Sequence, residues 1–133
     1  MAEKKFEKQL TGMAGEFLTL GKLFKKGLQA SITFGNAKGI DIFAENTNGK
    51  TFKVQVKTSR NSEKDFRIEE NKIEHDYICV FVALNDFEKN EDYYIVKGSE
   101  ILKDIDKFFI KSKTAIKYKS LTEYKDNWNV FDK

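Results

Sequence analysis

The stretch Gly39-Ile40-Asp41-Ile42-Phe43-Ala44-Glu45-Asn46-Thr47-Asn48-Gly49-Lys50-Thr51-Phe52-Lys53-Val54-Gln55-Val56-Lys57-Thr58-Ser59 decides the fold. Its centre, Asn46-Thr47-Asn48-Gly49, predicts a hairpin turn, because Asn and Gly tolerate the positive φ that tight turns demand. The arms, Ile40–Glu45 and Thr51–Thr58, alternate with the period of two that a strand imposes. On the second arm Phe52, Val54 and Val56 share one face, and Lys53, Gln55 and Lys57 share the other. On the first, Ile40, Ile42 and Ala44 form the apolar side, with Asp41, Phe43 and Glu45 opposite. Matching the apolar sides puts Asp41, Gln55 and Lys57 on one sheet face, near one end of the hairpin. Asp41 stands eight residues before Gly49 and Lys57 eight after it, so a symmetric hairpin sets them opposite each other.

An acid, an amide oxygen and an ammonium brought together have a use in phosphodiester hydrolysis. Carboxylate and amide or carbonyl oxygens hold Mg²⁺, which keeps its remaining positions for water and a phosphate. The ion makes its bound water more acidic and neutralises phosphate charge. A neighbouring lysine orients the water and offsets developing negative charge. On alternation alone, an exposed hairpin with an ordinary Asp–Lys cross-strand pair is the simpler account.

Outward from the hairpin the chain alternates helices and strands. Phe6, Leu10, Met13, Phe17, Leu20 and Phe24 recur at steps of three or four, predicting an amphipathic helix over residues 3–26. Gly27 is its stop signal, and small residues at 12, 14 and 15 let another element approach closely. Leu28–Phe34 reads as a strand and Gly35–Gly39 as a loop. After a polar stretch at 59–76, Tyr77–Leu84 is almost wholly apolar, as expected of a strand buried on both faces. Tyr93–Lys97 reads as a further strand. Ser99 is expected to cap a helix reaching Ile110, and a last helix is expected over Leu121–Trp128. The order α-β-β-β-β-β-α-α predicts an α/β fold, a mixed sheet of about five strands flanked by helices. No Pro/Gly/Ser linker or repeat divides residues 1–133, so one domain is expected.

Composition prunes the chemistry. The 133 residues include one His, His75, and one Cys, Cys79. A zinc finger needs about four Cys/His ligands and is excluded within one chain, as is a disulfide framework. A serine triad or Cys–His dyad has a single candidate set, built on His75. Carboxylates, amides and lysines remain, the vocabulary of Mg²⁺. The net charge of +3 conceals an asymmetry: residues 1–60 hold 11 Lys/Arg against 5 Asp/Glu, and residues 61–133 hold 13 against 16. The two arginines, Arg60 and Arg67, lie seven apart where the halves meet. Their planar forks suit phosphate, so the basic half points to a polyanion, although spread-out lysines also serve solubility. No apolar run approaches the roughly 20 residues of a membrane span, and a cytoplasmic protein is expected.

Gly39-Ile40-Asp41 and, after 13 intervening residues, Gln55-Val56-Lys57-Thr58-Ser59 resemble the core signature of the PD-(D/E)xK nuclease superfamily. Its members include restriction enzymes and Holliday-junction resolvases. The resemblance runs on through Gly15-Glu16-Phe17, Val80-Phe81-Val82, Tyr93-Tyr94-Ile95-Val96 and Tyr124-Lys125-Asp126-Asn127-Trp128, nearly the whole chain. It is closest to small bacterial and phage proteins of that superfamily. It implies a restriction-endonuclease-like core and a Mg²⁺-dependent endonuclease acting on DNA, with Mn²⁺ able to substitute. Asp41 would bind the metal, Gln55 and the main-chain carbonyl of Val56 would complete its ligands, and Lys57 would assist the nucleophile. Glu16, carried on the first helix, would bind the metal directly or through water. Thr58, Ser59 and Arg60 would face DNA, with Lys38 contacting phosphate. Two positions depart from the pattern: Ile40 precedes Asp41 where Pro is usual, and Gln55 replaces an acid, removing one negative charge from the site. The alternative is a catalytically inactive module of the same fold that binds DNA or a protein. In so short a chain, specificity would come from a homodimer, a partner subunit or DNA shape.

Among the remaining residues, His75 is expected at the surface, Cys79 as a buried hydrophobe and Trp128 as an anchor of the chain's end. Tyr93 and Tyr94 are expected as strand residues, and the acidic run Glu69–Asp76 faces solvent away from phosphate.

Overall fold

The computed structural model describes residues 2–37, 39–61 and 64–132, with side chains from Glu7 onward except those of 35–37. Helix α1 (Ala2–Lys26) leads into β1 (Gln29–Ala37), β2 (Ile40–Glu45) and β3 (Thr51–Ser59). The short β4 (Phe66–Arg67) and a 3₁₀ turn at Glu70–Lys72 precede β5 (Tyr77–Ala83) and β6 (Asp92–Lys97). Short helices α2 (Gly98–Lys103) and α3 (Ile105–Phe108), strand β7 (Ala115–Ile116), helix α4 (Tyr118–Leu121) and two 3₁₀ turns complete the chain. The main sheet is mixed and has five strands, as expected; their order is β1-β2-β3-β5-β6. Every pairing in it is antiparallel except β3 with β5, which run parallel. A parallel pair requires a crossover, and residues 60–76 supply it, with β4 pairing across to β7 as a second small sheet.

Strand β5 is the centre of the fold. All seven of its residues are buried, which explains their unbroken apolar character. Val80 and Val82 face α1 in one core cluster with Leu23, Ile42, Val54, Ile95 and Phe131. Cys79 and Phe81 face the other cluster, with Phe66, Ile101, Phe108, Ile116 and Leu121. At about 25 cal/mol per Å² of apolar surface removed from water, these two layers supply the main driving force of folding. Trp128 packs on Tyr93 at 5.3 Å and beside Phe131, anchoring the chain's end as expected.

The end of the chain also covers the outer rim of β6. Lys125 bridges to Tyr94, the Asp126 N–H donates to the Tyr93 carbonyl at 2.8 Å, and Asn127 Nδ2 donates to the Ile95 carbonyl at 3.1 Å.

Several boundaries differ from expectation. The first strand extends to Ala37 rather than yielding to a loop at Gly35, with a register shift between Ile32 and Ala37 and Phe34 at φ +54°. Lys97, not Ser99, is the N-cap of α2, and Ser99 lies inside its first turn. The expected single helix to Ile110 is two, because Asp104, at φ −143° and ψ 65°, breaks it. Instead of a helix over Leu121–Trp128 there are α4 and 3₁₀ turns at Thr122–Tyr124 and Trp128–Phe131, the chain turning at Asp126 with φ +55°.

The hairpin register is also corrected. Glu45 pairs with Thr51 and Ile42 with Val54, so in this register Asp41 falls opposite Gln55, not Lys57. The cause is the turn. Asn46 Oδ1 accepts the N–H groups of Asn48 and Lys50, both at 3.0 Å, while its own N–H donates to the Lys50 carbonyl at 2.9 Å. The loop therefore centres on Asn48 rather than Gly49.

Candidate functional site

A cleft of ≈ 780 Å³ opens where α1 crosses the end of β3. The crossing is close because Gly15 has no side chain: a methyl group there would overlap Thr58. The next residue on the helix, Glu16, thereby enters the cleft with Asp41, Val56 and Lys57.

Asp41 owes its position to the opening of the hairpin. The ladder between β2 and β3 ends at Ile42 and Val54, and beyond it the strands part. The Asp41 carboxylate takes over, its Oδ2 accepting the Val56 N–H at 2.7 Å. One carboxylate oxygen thus satisfies a main-chain donor that the partner strand has left.

The electrostatics couple Glu16, Asp41 and Lys57. Burial, reinforced by the Asp41 charge, pushes the Glu16 carboxyl up to about 7, with Lys57 pulling it down. Burial also raises Asp41, opposed by the Val56 hydrogen bond and by Lys57. Two carboxylates that are costly to ionise together are what a cation would relieve. Their hard oxygen donors, with Val56 beside them, fit a divalent cation such as Mg²⁺, which commonly uses one or two protein carboxylates and fills its other positions with water and phosphate. Among the described residues no group of three His, Cys, Asp or Glu side chains forms a denser ligand cluster.

Gln55 stands apart. It is only 4 % exposed, and it does not line the cleft. Its Nε2 donates to the Lys72 carbonyl at 3.1 Å, and its Oε1 receives the Cys79 thiol at 3.8 Å. Cys79 is itself buried, its thiol pushed up to about 12 by loss of solvent, so the Gln55 oxygen faces a protonated partner.

The expected DNA-facing residues follow β3 out of the site. Thr58, Ser59 and Arg60 all line the cleft. Arg60 Nε donates to Thr11 Oγ1 at 2.8 Å, tying the end of β3 to α1. Ser59 Oγ donates to the Asn61 carbonyl at 2.9 Å, while Thr58 Oγ1 is buried with no hydrogen-bond partner. Lys38 lies outside the described residues. Lys8, Lys64 and Arg67 also line the cleft, and of these only Arg67 stood out in the sequence. The seven-residue spacing of the two arginines was the available signal for Arg67, since both reach the same cleft. His75 is exposed, and so is most of the run Glu69–Asp76, with Asp76 bound to Lys53 at 2.9 Å.

No family model matches the chain, and no curated protein matches it. Among solved structures it is similar to that of a bacterial homing endonuclease, I-Ssp6803I, with a TM-score of 0.66 over 93 % of this chain and 91 % of that one. At 14 % identity the likeness is one of fold: this chain has the fold of a nuclease. Among the described residues, no helix is long and apolar enough to cross a membrane.

Proposed function

We propose that this chain, acting as one domain over residues 1–133, is a metal-dependent nuclease of the PD-(D/E)xK type that hydrolyses DNA phosphodiester bonds. The observation that carries the reading is the meeting of Glu16, Asp41 and Lys57 in a cleft whose wall also holds Lys8, Arg60, Lys64 and Arg67. The lining combines the cations Lys8, Lys57, Arg60, Lys64 and Arg67 with the acids Glu7, Glu16, Asp41 and Asp65, a mixture that suits a cation and a phosphate side by side. The fold shared with a homing endonuclease supports it.

Glu16, Asp41 and the Val56 carbonyl would hold Mg²⁺ or Mn²⁺. The ion, when bound, acidifies a water and neutralises phosphate charge. The Lys57 ammonium orients that water and offsets the charge that develops on the phosphoryl oxygens. The bond from water oxygen to phosphorus would form as the bond to the leaving sugar oxygen breaks, the water giving up a proton to solvent and the sugar oxygen taking one up from it. Arg60 and Arg67 present forks to the phosphates flanking the scissile one. Gln55 acts from behind, holding β3 against the Glu70–Lys72 turn.

A specific observation favours a second reading. With the Gln55 amide engaged by Lys72 and Cys79, two carboxylates remain for the ion, which suits a non-catalytic DNA-binding module. Plasmid, single-stranded and branched DNA incubated with pure protein in Mg²⁺ or Mn²⁺ separate the two. The nuclease cleaves at least one substrate, EDTA stops it, and Lys57→Ala slows it about 100-fold. DNA binding with a steep salt dependence and no cleavage under any metal identifies the module. Cleavage unaffected by both Lys57→Ala and Asp41→Ala overturns the site.

A further inference from the structure

Helix α1 packs one face on the core, with Ala14 and Leu18 among its contacts, and leaves several large apolar residues exposed on another. It meets the sheet through Gly15, Thr19 and Leu23, all buried. Leu10, Met13, Phe17 and Phe24 lie on another face, each between 43 and 52 % exposed. With Leu20, half-buried and packed in part against the core, they step by three, four, three and four residues, the repeat of a seam between two helices. Phe34 on β1, 70 % exposed, widens this stripe, its ring 6.4 Å from that of Phe17.

The stripe is larger than scattered surface residues would make it. At about 150–250 Å² for a large aromatic side chain, half-exposure of these residues leaves roughly 500 Å² of apolar surface. Adding the stems of flanking polar residues brings it towards the roughly 800 Å² per partner of a stable interface. A second copy of the chain fits it, because a heptad stripe is complementary to itself.

The helix dipoles favour one orientation. Lys25 and Lys26 lie in the last turn, but Lys26 is bridged to Asp132 at 2.8 Å and Lys22 sits over the Tyr93 ring, so these two cations turn towards their own chain. Reversing one helix opposes the two helix dipoles, whereas a parallel pair would align them. A two-fold axis at Phe17 then sets Leu10 beside the partner's Phe24 and Met13 over the partner's Gly21. Gly21 is mid-helix, and nothing in its own chain comes within 4 Å of where its side chain would begin. Glycine there leaves room for the partner's Met13.

We propose that this chain forms a two-fold dimer through antiparallel packing of α1, with Phe17 at the axis. The inference rests on α1 and β1 alone, so it stands whether or not the protein cleaves DNA. Sedimentation equilibrium from about 1 to 100 µM tests it. The wild type is expected at twice 15.4 kDa, and Phe17→Glu at 15.4 kDa with an unchanged circular dichroism spectrum. Met13→Glu, also at an exposed position, is expected to give the same result and covers a misfolded Phe17 variant. For orientation, the double variant Leu10→Cys/Phe24→Cys is expected to form a disulfide-linked dimer on oxidation, and Leu10→Cys alone is not. Cys79 is buried and does not interfere. A wild type that stays monomeric throughout overturns the proposal and gives the stripe to a different occupant. So does a dimer that survives both glutamate variants. Ready cross-linking of Leu10→Cys alone overturns the antiparallel arrangement.

Discussion

The two ends of the β2–β3 hairpin solve the same problem differently. At the closed end, Asn46 satisfies the turn with its own side chain, and the ladder runs regularly from Glu45–Thr51 to Ile42–Val54. At the open end the strands part, and a carboxylate replaces the missing ladder partner of Val56. Asn46 bonds within a local turn and to the Phe131 carbonyl at 3.0 Å. Asp41 is half-buried, and its charge adds to the cost of ionising the neighbouring Glu16. The first end is built for stability. The second stores an electrostatic cost at a place where a cation would remove it, which is how functional sites differ from scaffold.

Four substitutions can break or sharpen this contrast. The largest effect is expected from Asp41→Asn, which keeps an oxygen to accept the Val56 N–H and removes the charge. DNA cleavage should fall about 1,000-fold, equivalent to about 4 kcal/mol, while the melting temperature stays within a few degrees. If the rate survives and the fold does not, Asp41 belongs to the scaffold.

Next comes Gln55→Glu. In the usual metal-binding role an acid here would strengthen cation affinity. In the observed arrangement it places a carboxylate against the Lys72 carbonyl, losing about 2–3 kcal/mol of stability in urea unfolding. An unchanged midpoint with tighter Mg²⁺ binding in calorimetry would move this side chain into the cleft and erase the distinction.

Asn46→Ala should have the opposite profile to Asp41→Asn. Losing an acceptor for two N–H groups and a donor to Phe131 costs about 1–2 kcal/mol. The cleavage rate of the folded fraction should not change. A large loss of rate would mean that the two ends are mechanically coupled.

The smallest effect is a pH signature at Glu16. Its folded pKa, about 7, lies above the ordinary 4.5. Between those values the native state keeps a proton that the unfolded chain releases, so this residue's contribution to stability falls as pH rises through the window. In EDTA, Glu16→Gln should therefore melt no higher than wild type near pH 4, and progressively higher as pH approaches 8. Parallel melting curves at every pH would remove the buried-carboxylate argument.

Legibility from sequence followed the locality of the cause. Ile40–Glu45 was readable to the residue, because the turn residues and alternation that define it are its neighbours. Strand β5 was readable because burial on both faces leaves an unbroken apolar run. The break at Asp104 was hidden, since Ile101, Leu102, Ile105 and Phe108 keep helical spacing across it. Pairing of Phe66–Arg67 with Ala115–Ile116 was equally hidden: two-residue strands carry no period, and their partners are nearly 50 residues apart.

In the candidate site, alternation pointed to Asp41 and Lys57, while Glu16 was suggested only by resemblance to a family pattern. The same alternation grouped Gln55 with Lys57. What separates them is a bond to the Lys72 carbonyl, a main-chain group that no side-chain pattern reports. The outward stripe of α1 teaches a related lesson. Helical periodicity shows that an apolar face exists, but the close approach at Gly15 decides which face meets the sheet.

The cover that residues 125–127 lay over β6 bears on the protein's behaviour at high concentration. An edge strand as apolar as Tyr93–Val96 is a ready template for another chain's strand. Here the Tyr93 and Ile95 carbonyls already hold Asp126 and Asn127. The final segment thus acts as a guard against aggregation, keeping association away from the sheet edge and leaving it to side-chain surfaces.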